Sequence, residues 1–485
     1  MSRLPFALFV AFSALPCLGC SGGNSGDAGP TLTCGAGTHA VDASCVADPL
    51  DAGPSQTCAP GTHLAFGACI RDALDAGPLP GDAGFTDRTT WAPNEQVSHD
   101  GTHATGDPQL AVDSHGTIYL AYMDVTAPGI GCCVYLVRSP ATPHAFTEVT
   151  RVESTSTTVG YGAPTVLVDR MDRVYFGFVR YARGSGSRNT GSVMVTTSAD
   201  GTTFSSPVEV GTHDPRYASN DRPWLTLAPD GSVHLSWSFA TSDYRYPGVG
   251  VKYAQSTDGQ TFGTEQVAFR PDATVTTFDR TPLGYDATGQ LAVVTAPSQT
   301  TASGDTNYTL QGWHQDSGAW TASTIAPLLG ERHYWFHAAP TLISDSHGVL
   351  TSVLLNAVSR DVAAYFTRST DGRTWSMPAP VENDMLPAHT VAIPWATVDE
   401  GDHVHVAWLD NRYGAWVPYV SYDSGGSFTP PERIGDATFV ENGSLTGWIG
   451  DAMSLAVRGH QRYAAWTDTR SGMSQVYFST SPSTL

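Results

Sequence analysis

Residues 393–410 read IPWATVDEGDHVHVAWLD: a Pro-led apolar run, an acidic/Gly turn, and a second apolar run ending in an aromatic. Six further stretches share this shape. They are DPQLAVDSHGTIYLAYMD from Asp107, APTVLVDRMDRVYFGFVR from Ala163, RPWLTLAPDGSVHLSWSF from Arg222, RTPLGYDATGQLAVVTAP from Arg280, APTLISDSHGVLTSVLLN from Ala339 and DAMSLAVRGHQRYAAWTD from Asp451. A third run of strand length follows, and often a Ser-x-Asp-Gly-x-Thr-aromatic turn and a fourth run. Several short strands repeated at a period of about 54 to 60 residues are the signature of a β-propeller with one blade per copy. The expectation is an all-β chain with seven blades, six being the alternative if one copy is something else.

The ends of the repeat array explain how such a ring closes. The last copy stops at VYFSTSPSTL without a fourth run. The missing piece stands at the other end, where Asp87-Arg-Thr-Thr-Trp91-Ala-Pro-Asn-Glu-Gln-Val97 aligns with Asp371-Gly-Arg-Thr-Trp375-Ser-Met-Pro-Ala-Pro-Val381. The N-terminal segment is therefore expected to form the outer strand of the last blade, which removes an open edge.

Composition fits a large, turn-rich all-β domain: 485 residues, 49 Gly, 32 Pro and 41% hydrophobic. The formal net charge of −21 argues against nucleic acid and against an anionic membrane surface as partners. The first residues form a targeting segment, with Arg3 ahead of an apolar core from Leu4 to Leu15 and a Leu18-Gly19-Cys20 ending. This resembles the bacterial lipoprotein signal, which implies cleavage before Cys20, lipidation of Cys20 and, with Ser21 next, sorting to the outer membrane. Of the other cysteines, Cys34, Cys45, Cys58 and Cys69 lie in a tandem repeat of period 24, ten residues separating each pair. Cys34–Cys45 and Cys58–Cys69 are thus natural small-loop disulfides in an exported chain. The neighbours Cys132 and Cys133 form either a vicinal disulfide or two thiols on a strand edge. The domain reading is a signal peptide over 1–19, a Gly/Pro/Asp-rich tether over 20–86, and the propeller over 87–485. As a flexible coil the tether reaches about 40–50 Å.

Ser198-Ala-Asp200-Gly-Thr-Thr-Phe204, Ser256-Thr-Asp258-Gly-Gln-Thr-Phe262 and Ser369-Thr-Asp371-Gly-Arg-Thr-Trp375 resemble the Asp-box turn; Ser421 to Phe428 is a longer form and Asp316-Ser-Gly-Ala-Trp320 a degenerate one. In such a turn Asp accepts backbone N–H groups and Gly takes the left-handed conformation. On these motifs, residues 87–485 resemble the sialidase-like, Asp-box propeller superfamily. The resemblance implies a glycan-active or glycan-binding propeller with its site on the face opposite the Asp-box turns. Family sialidases have six blades and an Arg-Ile-Pro element; this chain has instead Arg433-Ile434-Gly435.

On that face, residues just before each innermost strand crowd the axis. Three consecutive blades bring an acid–Arg dipeptide there: Asp221-Arg222, Asp279-Arg280 and Glu331-Arg332. Arg222, Arg280 and Arg332 are candidates to grip a ligand carboxylate. His333, Tyr334, His337, Trp224 and Trp395 are the accompanying binding candidates. Glu331, Glu441, Asp221 and Asp279 are the catalytic candidates, with Asp107 and Asp451 in the same acidic pool. Repeated Asp/Arg pairs also serve as salt bridges between blades, most plainly in the two Trp-x-Asp-x-Arg runs ending at Arg412 and Arg470. The remaining glutamates are expected at outer strand edges. No sequence pattern for a cofactor or metal site stands out. His403 and His405 share one strand face and read as a packed or solvent-facing pair. The functional expectation is an outer-membrane-anchored monomer that recognises, and in one version cleaves, extracellular glycans, an acidic glycan being one candidate. The alternative is a non-catalytic protein-binding or assembly propeller.

Overall fold

The computed structural model describes residues 38–41, 44–47, 62–65 and 68–71, and residues 89–98 and 103–482 apart from 126–131, 143, 155, 157, 184–188, 212–216, 242–248, 273–279, 296–297, 301–305, 329–339, 359–360, 383–388, 425 and 442–446. Two compact units divide the chain near residue 80. The first contains two antiparallel hairpins, Thr38–Val41 with Ser44–Ala47 and Thr62–Ala65 with Ala68–Arg71, placing Cys45 and Cys69 at equivalent register positions. The expected Cys34–Cys45 and Cys58–Cys69 bonds, the signal segment and Cys20 lie outside what is described.

The second unit is a seven-bladed β-propeller; in blades one to three, five and six the strands run outward in sequence order. The innermost strands are Thr105–Val112, Val159–Val168, Tyr217–Leu227, Leu283–Tyr285, Thr341–Ser344, Val391–Val398 and Ser454–Arg458. Blades one to three and five to seven have four strands; blade four has a fifth, Ser298–Thr300. Second strands such as Ile118–Asp124 and Val404–Asp410 are buried throughout, because neighbouring blades cover both faces. This explains their continuous apolar reading in place of strict alternation. Core clusters are shared between blades: Tyr175, Val193 and Val195 of blade two pack with Leu225, Val233 and Trp237 of blade three.

The ring closes as the repeat ends imply. Glu95–Gln96 pairs with Gln475–Thr480 as the outer strand of blade seven, Tyr477 opposite Gln96 and Phe478 opposite Glu95. Backbone bonds from Ala92 N–H to Thr480 and from Val97 N–H to Val476, both 2.8 Å, extend the seam. Trp91 is buried, donates from Nε1 to Glu432 Oε1 at 2.9 Å, and lies under the Arg462 guanidinium at 5.3 Å.

The outer glutamates differ from expectation. Glu432 pairs with buried Arg462 at 2.6 Å, Glu265 with the one lysine, Lys252, at 2.5 Å, and Glu382 is itself buried against His389 at 2.6 Å. At these three positions the charge pins strands together, whereas exposed Glu148 and Glu153 fit the edge role with Arg151 between them. Cys132 and Cys133 are disulfide-bonded to each other at the start of the third strand of blade one, where the Cys132 N–H donates to Asp124 Oδ2 at 3.2 Å.

Candidate functional site

Four innermost strands carry the same irregularity. Each has one extra residue, between Gly106 and Gln109, Gly162 and Thr165, Asp221 and Trp224, and Ala392 and Trp395. Pro108, Pro164, Pro223 and Pro394 sit in these bulges, where no ladder N–H is needed. The residue before each proline has positive φ: Asp107 55°, Ala163 48°, Arg222 52° and Ile393 53°. A side-chain-bearing residue there costs roughly 1–3 kcal/mol. Ala163 and Ile393 share the strain with Asp107 and Arg222, so the strain belongs to the blade design.

The bulges let side chains from non-adjacent blades meet across the axis. Arg222 of blade three reaches Asp451 of blade seven, Nη2 to Oδ2 at 2.8 Å. Asp107 of blade one accepts the N–H groups of Asp451 and Ala452 on Oδ1, at 2.7 and 3.1 Å. Gly450 makes this approach possible, with φ at 89° and Thr467 and Asp107 where a Cβ would stand. Trp224 of blade three packs on Trp395 of blade six at 5.0 Å between ring centroids, and the Arg280 guanidinium of blade four lies 5.7 Å from the Trp395 ring. Asp221 accepts from Tyr181 Oη at 2.5 Å and from the Arg222 N–H at 2.8 Å.

Electrostatics follow from this crowding. Burial and the neighbouring Asp451 carboxylate push Asp107 up to about 6, against the opposing pull of Arg280 and Arg222. Burial lowers the Arg222 value, but Asp451, Asp221 and Asp107 outweigh it, so the guanidinium stays charged. Burial, and then Asp221, raise Tyr181 well above the ordinary phenol range, which makes it a hydrogen-bond donor and not a phenolate. One pH prediction arises here. The folded Asp107 carboxyl holds its proton above the unfolded value, so its contribution to stability falls as pH rises from about 4 to about 6 and remains lowered above that, by about 3 kcal/mol. Asp107→Asn keeps the acceptor oxygen and removes the titration. Urea unfolding of both proteins from pH 4 to 7 should show the variant gaining relative to wild type across that window; parallel profiles would refute the assignment.

The structure thus brings together Asp107, Asp221, Arg222, Trp224, Arg280, Trp395 and Asp451. Asp279, Glu331, Arg332, His333, Tyr334 and His337 lie outside the described residues. Glu441 lies partly buried on the segment leading from blade six to blade seven. Tyr181 was not singled out from sequence; it reaches the cluster because the second strand of blade two runs on to Arg183. Two expectations are adjusted. The Arg222 guanidinium is already engaged by a carboxylate of the chain itself, and the Trp395 ring is occupied by Trp224 and Arg280, which leaves it little face for a sugar. Arg412 and Arg470 hold their own loops, bonding Asp410 and Asp468 beside the indole N–H groups of Trp408 and Trp466. Arg470 also crosses between blades, to Asp436 at 2.5 Å. His403 and His405 both bind Asp399, at 3.2 and 3.0 Å; His405 is packed and His403 is half exposed to solvent.

No family model matches the chain. No curated protein matches it either. Among solved structures it is similar to a polysaccharide lyase, Uly1, at 10% identity over 82% of this chain and 94% of that one, TM-score 0.44. It is similar to the α-L-arabinofuranosidase Arb93A of Fusarium graminearum at 10% identity over 81% and 98%, TM-score 0.43. A mutant sialidase of Trypanosoma rangeli matches at 11% identity over 81% and 60%, TM-score 0.40. These likenesses fall below the level at which a shared activity follows, so function rests on this chain's own residues.

Proposed function

We propose that the chain is a glycan-binding propeller of the sialidase-like, Asp-box kind, with its site at the charged end of the axis and Asp107 as its proton donor. The observation that carries this reading is the convergence of Asp107, Arg222, Arg280 and Asp451 from four blades, with one carboxyl held near 6. A carboxyl of that kind beside a second carboxylate is the chemistry of glycosidic acid catalysis. Among the described residues, three carboxylates face two guanidinium groups. This balance favours a neutral sugar, whose hydroxyls bridge donors and acceptors, over a carboxylated one. A second reading, a purely structural keystone, is favoured by the depth of the Arg222–Asp451 pair, whose side chains are 13% and 7% exposed.

The test is a glycan array carrying neutral and acidic sugars, followed by assays for released reducing ends. Wild type should retain neutral glycans, and Asp107→Asn and Arg280→Ala should each weaken retention about tenfold. If no glycan is retained, or both variants bind as wild type does, the keystone reading stands. Preference for uronate or sialate glycans would restore the carboxylate-clamp version.

We further propose export and lipid anchoring through Cys20, on the Leu18-Gly19-Cys20 ending. Cys20→Ser should move the protein from the membrane to the soluble fraction. A wild-type protein that is itself soluble after fractionation would refute the anchor.

A further inference from the structure

On the face opposite the charged cluster, five blades follow a rule from which blades three and seven depart; blade seven closes its turn as a tight hairpin, Arg458 opposite Gln461, without an aspartate. In blades one, two, four, five and six the first turn begins with an aspartate, Asp113, Asp169, Asp286, Asp345 or Asp399, whose Oδ1 accepts two backbone N–H groups of the turn. In three of them Oδ2 takes a ring group: Tyr175 Oη at 2.9 Å, His314 Nε2 at 2.9 Å and His405 Nε2 at 3.0 Å. The glycine of the next blade's Ser-x-Asp-Gly turn then covers the ring, Gly259 over Tyr175 and Gly372 over His314, with no room for a Cβ.

Blade three lacks both parts. Ala228 stands where the aspartate belongs, and Asp230 caps the turn instead, accepting from the Ser232 N–H at 2.9 Å. His234, six residues on as Tyr175 is from Asp169, has lost its carboxylate; it is 5% exposed and its Nδ1 has no hydrogen-bond partner among the described residues. The next blade's covering turn is missing too. Blade four connects its third and fourth strands by a two-residue hairpin, Asp316 opposite Ala319, with positive φ at Ser317 and Gly318. The result is a cleft of about 370 Å³ between blades three and four.

Its floor is aromatic. Tyr253 lies parallel to His234, and Tyr285, also 5% exposed, meets His234 edge-on with a hydroxyl that has no partner among the described residues. Its walls are amides: Gln255, Gln266, Gln290 and Gln315. Gln315 Nε2 donates to Tyr253 Oη at 2.9 Å, which donates to Gln266 Oε1 at 2.7 Å. Among the described residues of the lining there is no lysine or arginine, and Asp230 is the one carboxylate. Burial lowers His234 to about 4, so the imidazole is neutral at ordinary pH.

We propose that this cleft binds a ring of a neutral saccharide, its hydroxyls meeting His234, Tyr285 and the glutamine amides and its apolar face resting on the aromatic floor. Amides offer a donor beside an acceptor, which matches adjacent sugar hydroxyls. With Asp230 and no cation among the described lining residues, the cleft suits a neutral ligand better than an anionic one. The volume lies at the small end of ligand pockets, the scale of one or two rings. This site is separate from the axial one and does not depend on it.

The experiment is calorimetric titration of the full chain with cellobiose, xylobiose and arabinobiose, with glucuronate as the charged control. At least one neutral disaccharide should bind, and Tyr285→Phe and Gln315→Ala should each weaken it about tenfold. Ala228→Asp should abolish binding and raise the melting temperature, because it restores the carboxylate that His234 lacks. Arg280→Ala should leave this binding unchanged, which separates it from the axial site. In an Arg280→Ala background, which weakens the axial site, binding that survives Ala228→Asp and Gln315→Ala, glucuronate binding as tight as any neutral sugar, or no neutral binding at all would overturn the proposal.

Discussion

Deleting residues 86–99 should lower the melting temperature by at least about 5 °C and make the protein prone to self-association. The segment supplies the fourth strand of blade seven, so its removal strips the ladder from Tyr477 and Phe478 and exposes an edge. It also removes buried Trp91 and Val97. Loss of a buried Trp alone costs about 3–5 kcal/mol, and in a domain of this size 1 kcal/mol moves the midpoint by roughly 1 °C. Arg462, 1% exposed by its side chain, would keep Glu432 but lose the aromatic ring over it. A synthetic peptide of residues 89–98 added in trans should restore part of the loss, since a ligand of the folded state stabilises it. A melting curve unchanged by the deletion would rule out the closure role.

Arg222→Met should be the most damaging single substitution at the axis. It leaves Asp451 and Asp107 facing each other with one guanidinium fewer, and breaking a buried pair costs about 3–5 kcal/mol. Arg222→Met with Asp451→Leu should recover most of that, because an apolar pair of similar volume can replace a buried ion pair. Denaturant unfolding of the wild type, both single variants and the double gives the coupling energy; simple additivity of the two losses would show that the pair does not act as a unit. The double variant also separates structure from recognition. A stable double that no longer retains glycans assigns the pair to binding, and one that still retains them assigns it to holding blades three and seven.

The blades and the closing strand were legible because they repeat. Period, turn and missing fourth run are all local sequence facts, and blade packing merely multiplies them. The axial residues were legible as positions, but only Arg280 and Asp451 stand just before innermost strands; Asp107 and Arg222 lie within theirs, at the bulges. Their partners were not legible. Arg222 meets Asp451 only because a one-residue bulge turns its side chain inward, and blade three faces blades six and seven only in a ring of seven. Glu382 lies beside its short fourth strand, Ala379–Pro380, as expected, but its role was not legible: it is buried against His389 and does not charge an open edge. The cleft between blades three and four rests on Ala228 and on a shortened turn, two omissions that gain meaning only when the other blades show what is missing.

The four bulges also bear on how this scaffold diversifies. Asp107, Ala163, Arg222 and Ile393 occupy one backbone stub in one conformation, yet present an acid, a methyl group, a base and an aliphatic chain. The left-handed conformation disfavours β-branched Ile393 more than Asp107, yet the bulge holds both. The bulge thus works as a socket for unlike side chains. Ile393 is committed to the core shared by blades six and seven, whereas half-buried Ala163 is the position at which a single codon could change the chemistry of the axis while the surrounding blades keep their register.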